Sequence, residues 1–185
     1  MFKKIGSNFS INHILDMDKL KSLPEVFHEY GDSFVDVPTD RTVWMTYKRG
    51  NGSISFTRNT KIQFPEISEF VVNYLKEIID IPIILDRVHI LRTIGTVEPH
   101  RDEAGRNCCI NIGLLNSNSA TTKVSNKDDF STFYNHCINF HCEDGNAYLL
   151  NTQKIHAVIG SDIERYLVTY GFAATYDQVL SKVKL

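Results

Sequence analysis

Apolar and polar positions change rhythm along this chain near residue 80. Before that point the clearest signal is helical: from Pro65 to Ile79, the residues Ile67, Phe70, Val71, Tyr74, Leu75 and Ile78 recur every three or four positions. They form one apolar stripe behind a proline suited to a first helical turn. Such a stripe needs a partner surface, and a sheet is expected to supply it. From Ile83 onward the pattern becomes short and β-prone, in the runs Ile83–Thr93, Val97–Asp102, Cys108–Leu115, Thr121–Ser125, Ser131–Phe140, Ala147–Leu150, Ile155–Ile159 and Arg165–Phe172. Gly95, Asp144-Gly145-Asn146 and Gly160-Ser161-Asp162 mark turns between them. Many short strands at this spacing predict a mainly β sandwich or jelly roll. Toward the N-terminus the signals weaken. A helix around Met17–Tyr30, interrupted or started by Pro24, is expected, followed by a hairpin whose runs Thr42–Tyr47 and Ser53–Thr57 flank the turn formers Asn51-Gly52. Residues 173–185 are expected to form a short, helical terminal segment.

Composition narrows the function classes. With 185 residues, 42 % of them hydrophobic and 23 % charged, the chain reads as one globular domain large enough to bury a core without a staple. Its 20 basic and 22 acidic residues give a net charge of −2, which argues against a general nucleic-acid or membrane-surface binder. No apolar run is long enough for a membrane span, and the lysines Lys3 and Lys4 are not followed by the apolar core of a signal peptide. Four cysteines, Cys108, Cys109, Cys137 and Cys142, are therefore expected as reduced thiols in a cytoplasmic protein. The run from His136 through Cys142 holds two histidines and two cysteines. An extended strand would turn His136 and Cys142 to one side and Cys137 and His141 to the other, and neither pair has a usual zinc-ligand spacing. Ordinary strand packing is expected there.

The candidate chemistry lies in Pro99-His100-Arg101-Asp102 together with His156 and Arg165. Two imidazoles and one carboxylate can cap one face of iron(II) and leave three positions open. His-X-Asp alone is a weak signal, and each residue has a plain alternative. His100 and Asp102 could form a surface turn, His156 could be a hydrogen-bonded core histidine, and Arg165 could pair with Asp162 or Glu164. Strand alternation puts Arg165, Leu167 and Thr169 on one face. If that face looks into the barrel, Arg165 is a buried charge in need of an anion, which a dicarboxylate would supply.

From about Ile83 to Phe172 the sequence resembles the iron(II)/2-oxoglutarate-dependent dioxygenase superfamily, most closely its aspartyl/asparaginyl β-hydroxylase-like and prolyl-hydroxylase-like branches. The resemblance rests on Gly95-Thr96-Val97-Glu98-Pro99-His100-Arg101-Asp102, Ile110-Asn111-Ile112-Gly113-Leu114 and Asp144-Gly145-Asn146-Ala147-Tyr148-Leu149-Leu150. It ends with His156, Arg165 nine residues later, and Gly171-Phe172. It implies a double-stranded β-helix (jelly roll, cupin-like) over residues 83–172, with residues 1–82 packing on it as supporting N-terminal helices and a hairpin, all in one domain. It also implies iron(II) held by His100, Asp102 and His156, with 2-oxoglutarate and dioxygen as cosubstrates and Arg165 on the distal carboxylate. Asn111, Arg106 and Thr169 are the other residues expected around the cosubstrate. The implied activity is hydroxylation of an amino acid, a peptide side chain or another small polar substrate, releasing succinate and carbon dioxide. No nucleic-acid or membrane partner is expected. Two departures stand out. Where β-hydroxylase-like members carry Arg-X-His, this chain has Cys109-Ile110-Asn111, so Arg106 is the guanidinium available to cosubstrate or substrate, or else a solvated turn arginine. Between Val88 and Pro99 no tyrosine precedes the first ligand, and Arg92 or Thr93 stands in that neighbourhood. Two other classes compete: a non-catalytic barrel of the same fold, and a cupin-type metalloenzyme without 2-oxoglutarate, which would gather more histidines around its metal.

Overall fold

The computed structural model describes residues 1–10, 15–28, 43–57, 60–102, 105–160 and 162–184. Twelve strands make up the body: β1 (Phe2–Gly6), β2 (Glu25–His28), β3 (Trp44–Arg49), β4 (Gly52–Thr57), β5 (Val88–Ile94), β6 (Val97–His100), β7 (Cys108–Leu115), β8 (Thr121–Ser125), β9 (Cys137–His141), β10 (Ala147–Leu150), β11 (His156–Ile159) and β12 (Arg165–Phe172). The α-helices are α1 (Met17–Lys21), α2 (Thr60–Gln63), α3 (Pro65–Ile78) and α4 (Tyr176–Leu180). An eight-stranded sheet runs in the order β1-β10-β7-β12-β5-β4-β3-β2, and a four-stranded sheet runs β6-β11-β8-β9. This is the expected mainly β jelly roll.

Strand alternation divides the larger sheet between two cores. Val88 and Ile90 of β5, Ile110 and Ile112 of β7, Val168 and Tyr170 of β12, and Ala147 and Leu149 of β10 point outward. They pack against Ile67, Val71 and Leu75, the buried stripe of α3. Each fully buried Val or Leu there contributes roughly 1.5–3 kcal/mol of transfer free energy. The intervening residues face the other way. Cys109, Tyr148, Leu150 and Leu167 meet Val124 and Phe140 of the smaller sheet, so the space between the sheets is a second, narrower core.

Several local expectations need correction. The helix expected over Met17–Tyr30 stops at Lys21, and Glu25–His28 is a strand lying parallel to β3, with Tyr30 outside the described residues. Pro24 closes the helical option and favours an extended residue before it. The hairpin strands are as read from Trp44 and Ser53 onward, while Thr42 is not described. The register pairs Arg49 with Gly52, so the two turn residues are Gly50 and Asn51 rather than Asn51 and Gly52. Only Gly50 of the two takes a positive φ, +66°, as a turn with glycine at its first central position requires. Ile83–Thr93 is strand only from Val88, after a 3-10 turn at Leu85–Arg87. Ser131–Phe140 is strand only from Cys137. There Asp129 accepts from the Ser131 amide and from the Ser131 and Thr132 hydroxyls, a local turn that competes with the ladder. The N-terminal residues do more than support the barrel with helices, since β1 to β4 extend its larger sheet at both ends. Of the turn at Gly160-Ser161-Asp162, Ser161 is not described. The terminal helix α4 forms as expected, with a capping box from Thr175 and Gln178.

Three chain reversals meet at one corner. A Cβ on Gly160, after β11, would fall on the backbone carbonyl of Gly95, in the turn from β5 to β6. Gly95, at φ +68°, approaches Gly52 of the hairpin so closely that its own Cβ would lie 2.9 Å from the Gly52 Cα. Beside this corner the hairpin tip rests on Glu98, two residues before His100.

Candidate metal centre

The smaller sheet brings the two histidines together. In the β11–β6 pairing His156 sits opposite His100, and their rings are 4.3 Å apart between centroids. Each Nδ1 is fixed by a backbone carbonyl two residues upstream, Glu98 O at 2.8 Å for His100 and Lys154 O at 3.0 Å for His156. With Nδ1 protonated to serve those carbonyls, each Nε2 keeps its lone pair for a metal. Asp102, just past the end of β6, is held by its amide on the Thr152 carbonyl at 3.1 Å. Its Oδ1 lies 3.8 Å from His100 Nε2 and 3.7 Å from His156 Nε2. Three donor atoms at such spacing can share one ion with bonds of about 2.0–2.2 Å. Among the described residues this is the one group of His, Cys, Asp or Glu side chains so gathered, all three ligand atoms lying within 4.8 Å of one another.

Burial, then the His156 imidazole and the Arg49 guanidinium, pushes the pKa of His100 down to about 3. Burial lowers His156 as well, against the pull of Asp102. Both imidazoles are thus neutral at pH 7, the form that binds a metal. Burial raises the nearby Cys109 thiol, which stays protonated, and pushes Cys108 up to about 12 and Cys142 up to about 11. All four cysteines are free thiols, and the stretch from His136 to Cys142 gathers no metal-binding group among the described residues.

Arg165 opens β12 on the inner face of the larger sheet and is only 4 % exposed, which excludes a surface pair with Asp162 or Glu164. Its Nε donates to Thr93 Oγ1 at 2.7 Å, across the β12–β5 ladder. Its Nη1 is buried with no hydrogen-bond partner among the described residues. A buried donor on a cation is costly to leave unmade, so this atom could take an anion. Thr93, one of the two residues weighed for this neighbourhood, therefore lies beside Arg165. Arg92, the other, leaves the opposite face of β5.

Of the remaining candidates, Thr169 and Asn111 sit further along the same inner face, and Arg106 reaches that face from the segment between β6 and β7. Thr169 of β12 pairs in register with Asn111 of β7 and His89 of β5. It lies four residues from Arg165, about 13 Å of strand. Thr169 Oγ1 accepts from Arg106 Nη2 at 2.7 Å, and Arg106 Nη1 stands 3.1 Å from Asp102 Oδ2. Asn111 Oδ1 accepts from the Cys109 thiol at 3.5 Å. Sequence reasoning passed over the hairpin side of the site. On β3 the alternation that buries Met45 also turns Tyr47 and Arg49 to the inner face, opposite Ile54 and Gly52 of β4. The charge of Arg49 reaches both histidines. The period-two pattern of the hairpin was the available signal, but only the structure shows which β-hairpin flanks the histidines. On the other side Arg101, between His100 and Asp102 in sequence, pairs with Asp128 and lies over the Phe130 ring at 5.4 Å.

The arrangement invites comparison with solved proteins. No protein-family model matches the chain, and no curated protein sequence does. The fold has counterparts. HygX from Streptomyces hygroscopicus, solved with nickel and 2-oxoglutarate bound, superposes with a TM-score of 0.54 at 10 % identity, over 92 % of this chain and 82 % of that one. YcfD from E. coli gives a TM-score of 0.51 at 15 % identity, over 98 % of this chain and 51 % of that one. Another structure of YcfD, described as a ribosomal oxygenase, matches at 14 % identity over 81 % of this chain and 37 % of that one, with a TM-score of 0.45. The chain covers 37 % of that YcfD structure and 47 % of EvdMO1, so it spans about half the length, or less, of these solved structures. At these identities the likeness is one of fold: this chain is built as the cupin-type jelly roll that HygX and YcfD share.

Proposed function

We propose that the protein is an iron(II)- and 2-oxoglutarate-dependent oxygenase that hydroxylates an amino acid, a peptide side chain or another small polar substrate. The observation that carries this reading is the buried, unpartnered Nη1 of Arg165 on the inner face of a barrel that also holds His100, Asp102 and His156. A cupin-type metalloenzyme without the cosubstrate gives Arg165 no anion, and it would gather further histidines.

His100 and His156 through Nε2 and Asp102 through Oδ1 would hold the iron, and Arg165 would fork onto the distal carboxylate of 2-oxoglutarate. Bound there, iron(II) supplies the chemistry that splits dioxygen, one atom entering succinate as 2-oxoglutarate loses carbon dioxide and the other entering a substrate C–H bond. The chain's own part is placement. The carbonyls of Glu98 and Lys154 hold the two imidazoles in the ligating tautomer. Leu167, two residues from Arg165 on the same face of β12, is buried in the core between the sheets with Leu91 packed against that core, so the inner face beside Arg165 is apolar. Tyr47 and Arg49 share the inner face of β3, and the charge of Arg49 reaches both histidines, which favours a polar substrate. The reduced thiols fit a cytoplasmic protein.

Anaerobic titration of the protein with iron(II) and 2-oxoglutarate tests the reading. A weak metal-to-ligand charge-transfer band in the visible, lost in Arg165→Ala, is the expected result. Iron binding without a band would transfer the site to the cupin-type alternative. Failure to bind iron at all would overturn the reading.

A further inference from the structure

The two oxygens of Asp102 have different surroundings. Oδ1 faces the histidines, while Oδ2 is buried, accepts no hydrogen bond among the described residues and looks at the Arg106 guanidinium, whose Nη1 is 3.1 Å away. The contact is therefore one of charge rather than of a directed hydrogen bond. Arg106 is itself immobilised from several sides. Its Nη2 donates to Thr169 Oγ1 at 2.7 Å. Its carbonyl accepts from the Thr152 hydroxyl and from Gln153 Nε2 at 3.3 Å. The next amide, Asn107 N, donates to Phe172 O at 2.8 Å. Its stem crosses β12 at Gly171, where a Cβ would lie 3.1 Å from Arg106 Cγ. A planar fork anchored at one prong to the barrel wall presents the other to the carboxylate in a fixed direction.

From this we infer that Arg106 is a positioning residue, which keeps Asp102 bound to the metal through Oδ1 alone by engaging Oδ2 from the barrel wall. The inference rests on the metal site proposed above. It gives Arg106 a task other than contact with cosubstrate or substrate, and it makes Thr169 the anchor of that arginine. A carboxylate restrained at its second oxygen cannot swing to chelate with both, so an open coordination position is preserved.

The test uses the metal-free protein and cobalt(II) alone, with no 2-oxoglutarate, followed by ligand-field absorbance. Arg106→Met is expected to bind cobalt(II) about 10–100-fold more weakly, the usual effect of removing a partner that orients a ligand. It is also expected to show altered ligand-field bands, as Asp102 turns to bind through both oxygens and takes a position otherwise left open. Arg106→Lys restores part of the affinity. Thr169→Val, which cuts the anchor and keeps the volume, is expected to weaken binding about threefold to tenfold on its own and to add nothing in the Arg106→Met background. The inference is overturned if Arg106→Met binds with the affinity and spectrum of the parent. Should that variant not fold, unchanged affinity and spectrum in Thr169→Val overturn it. If the parent binds no cobalt(II), the failure belongs to the metal site itself.

Discussion

Arg92 and Arg165 lie on paired strands one residue apart in register, yet they leave opposite faces of the sheet. Both are buried, at 9 % and 4 % exposure, and the chain treats them differently. Arg92 is completed by its own protein. It pairs with Glu25, stands 3.8 Å from Glu164, donates to Ser55 at 3.1 Å and lies over the Trp44 ring at 5.1 Å. Among the described residues, Arg165 has one hydrogen bond, to a neutral threonine, and a buried nitrogen with nothing to donate to. The same side chain is thus a strut on one face and, in the proposed function, half of a binding site on the other. What separates them is whether the fold itself supplies the counter-charge.

The contrast can be broken by exchanging what each variant costs. Arg165→Met should give the largest change, a loss of roughly 100-fold in 2-oxoglutarate affinity, since truncating one side of a buried charge pair costs about 2–5 kcal/mol. Its stability should hold or rise by about 1 kcal/mol, because an incompletely paired buried charge is removed. Charge-transfer titration reads the first effect and urea denaturation the second. A clear loss of stability would make Arg165 a strut like its neighbour. Arg92→Met should do the reverse, losing about 2–3 kcal/mol in urea denaturation while its 2-oxoglutarate affinity stays within about twofold. The loss falls below that of a fully buried pair because Glu25 and Glu164 keep some water contact. Thr93→Val strips Arg165 of its one partner, and about a tenfold weakening of the cosubstrate is expected, equivalent to one charged hydrogen bond. The smallest change belongs to Glu164→Gln. At 3.8 Å and 41 % exposure its pairing with Arg92 should be worth no more than about 0.5 kcal/mol in the same denaturation experiment.

Much of the barrel could be read from alternation alone. The face shared by Arg165, Leu167 and Thr169 needed only the period of a strand, and the stripe of α3 only the period of a helix. Those patterns are local. What stayed hidden depends on distant partners. The β1 strand, with lysines at positions 3 and 4, gives almost no apolar signal, and it is ordered by pairing with β10 and by the stacking of Phe2 on Phe140. Glu25–His28 becomes a strand by lying beside β3. The opposite assignments of Arg92 and Thr93 follow from parity, but the identity of their partners, Glu25 and Arg165, is fixed by tertiary contact. Likewise Asp102 and Arg106 are four residues apart in a connecting segment, where no periodicity says that the guanidinium turns back to the carboxylate. The run after Ser131 went wrong for a different reason: side-chain hydrogen bonds from Asp129 outcompeted β propensity.

The glycine corner has a consequence for how this barrel can be redesigned. Where Gly160 touches Gly95 and Gly95 touches Gly52, backbone meets backbone, so neither a longer loop nor a larger side chain finds room. The hairpin and the chain at Gly95 and Gly160 thus form one close-packed bank beside His100 and His156. The opposite bank, the 126–136 segment reached through Arg101, carries Phe130 and Tyr134 at 52 % and 57 % exposure and is joined to the ligand strand by side chains. Loop grafts and randomised libraries aimed at new substrates belong on that bank, and the glycine side is best left untouched.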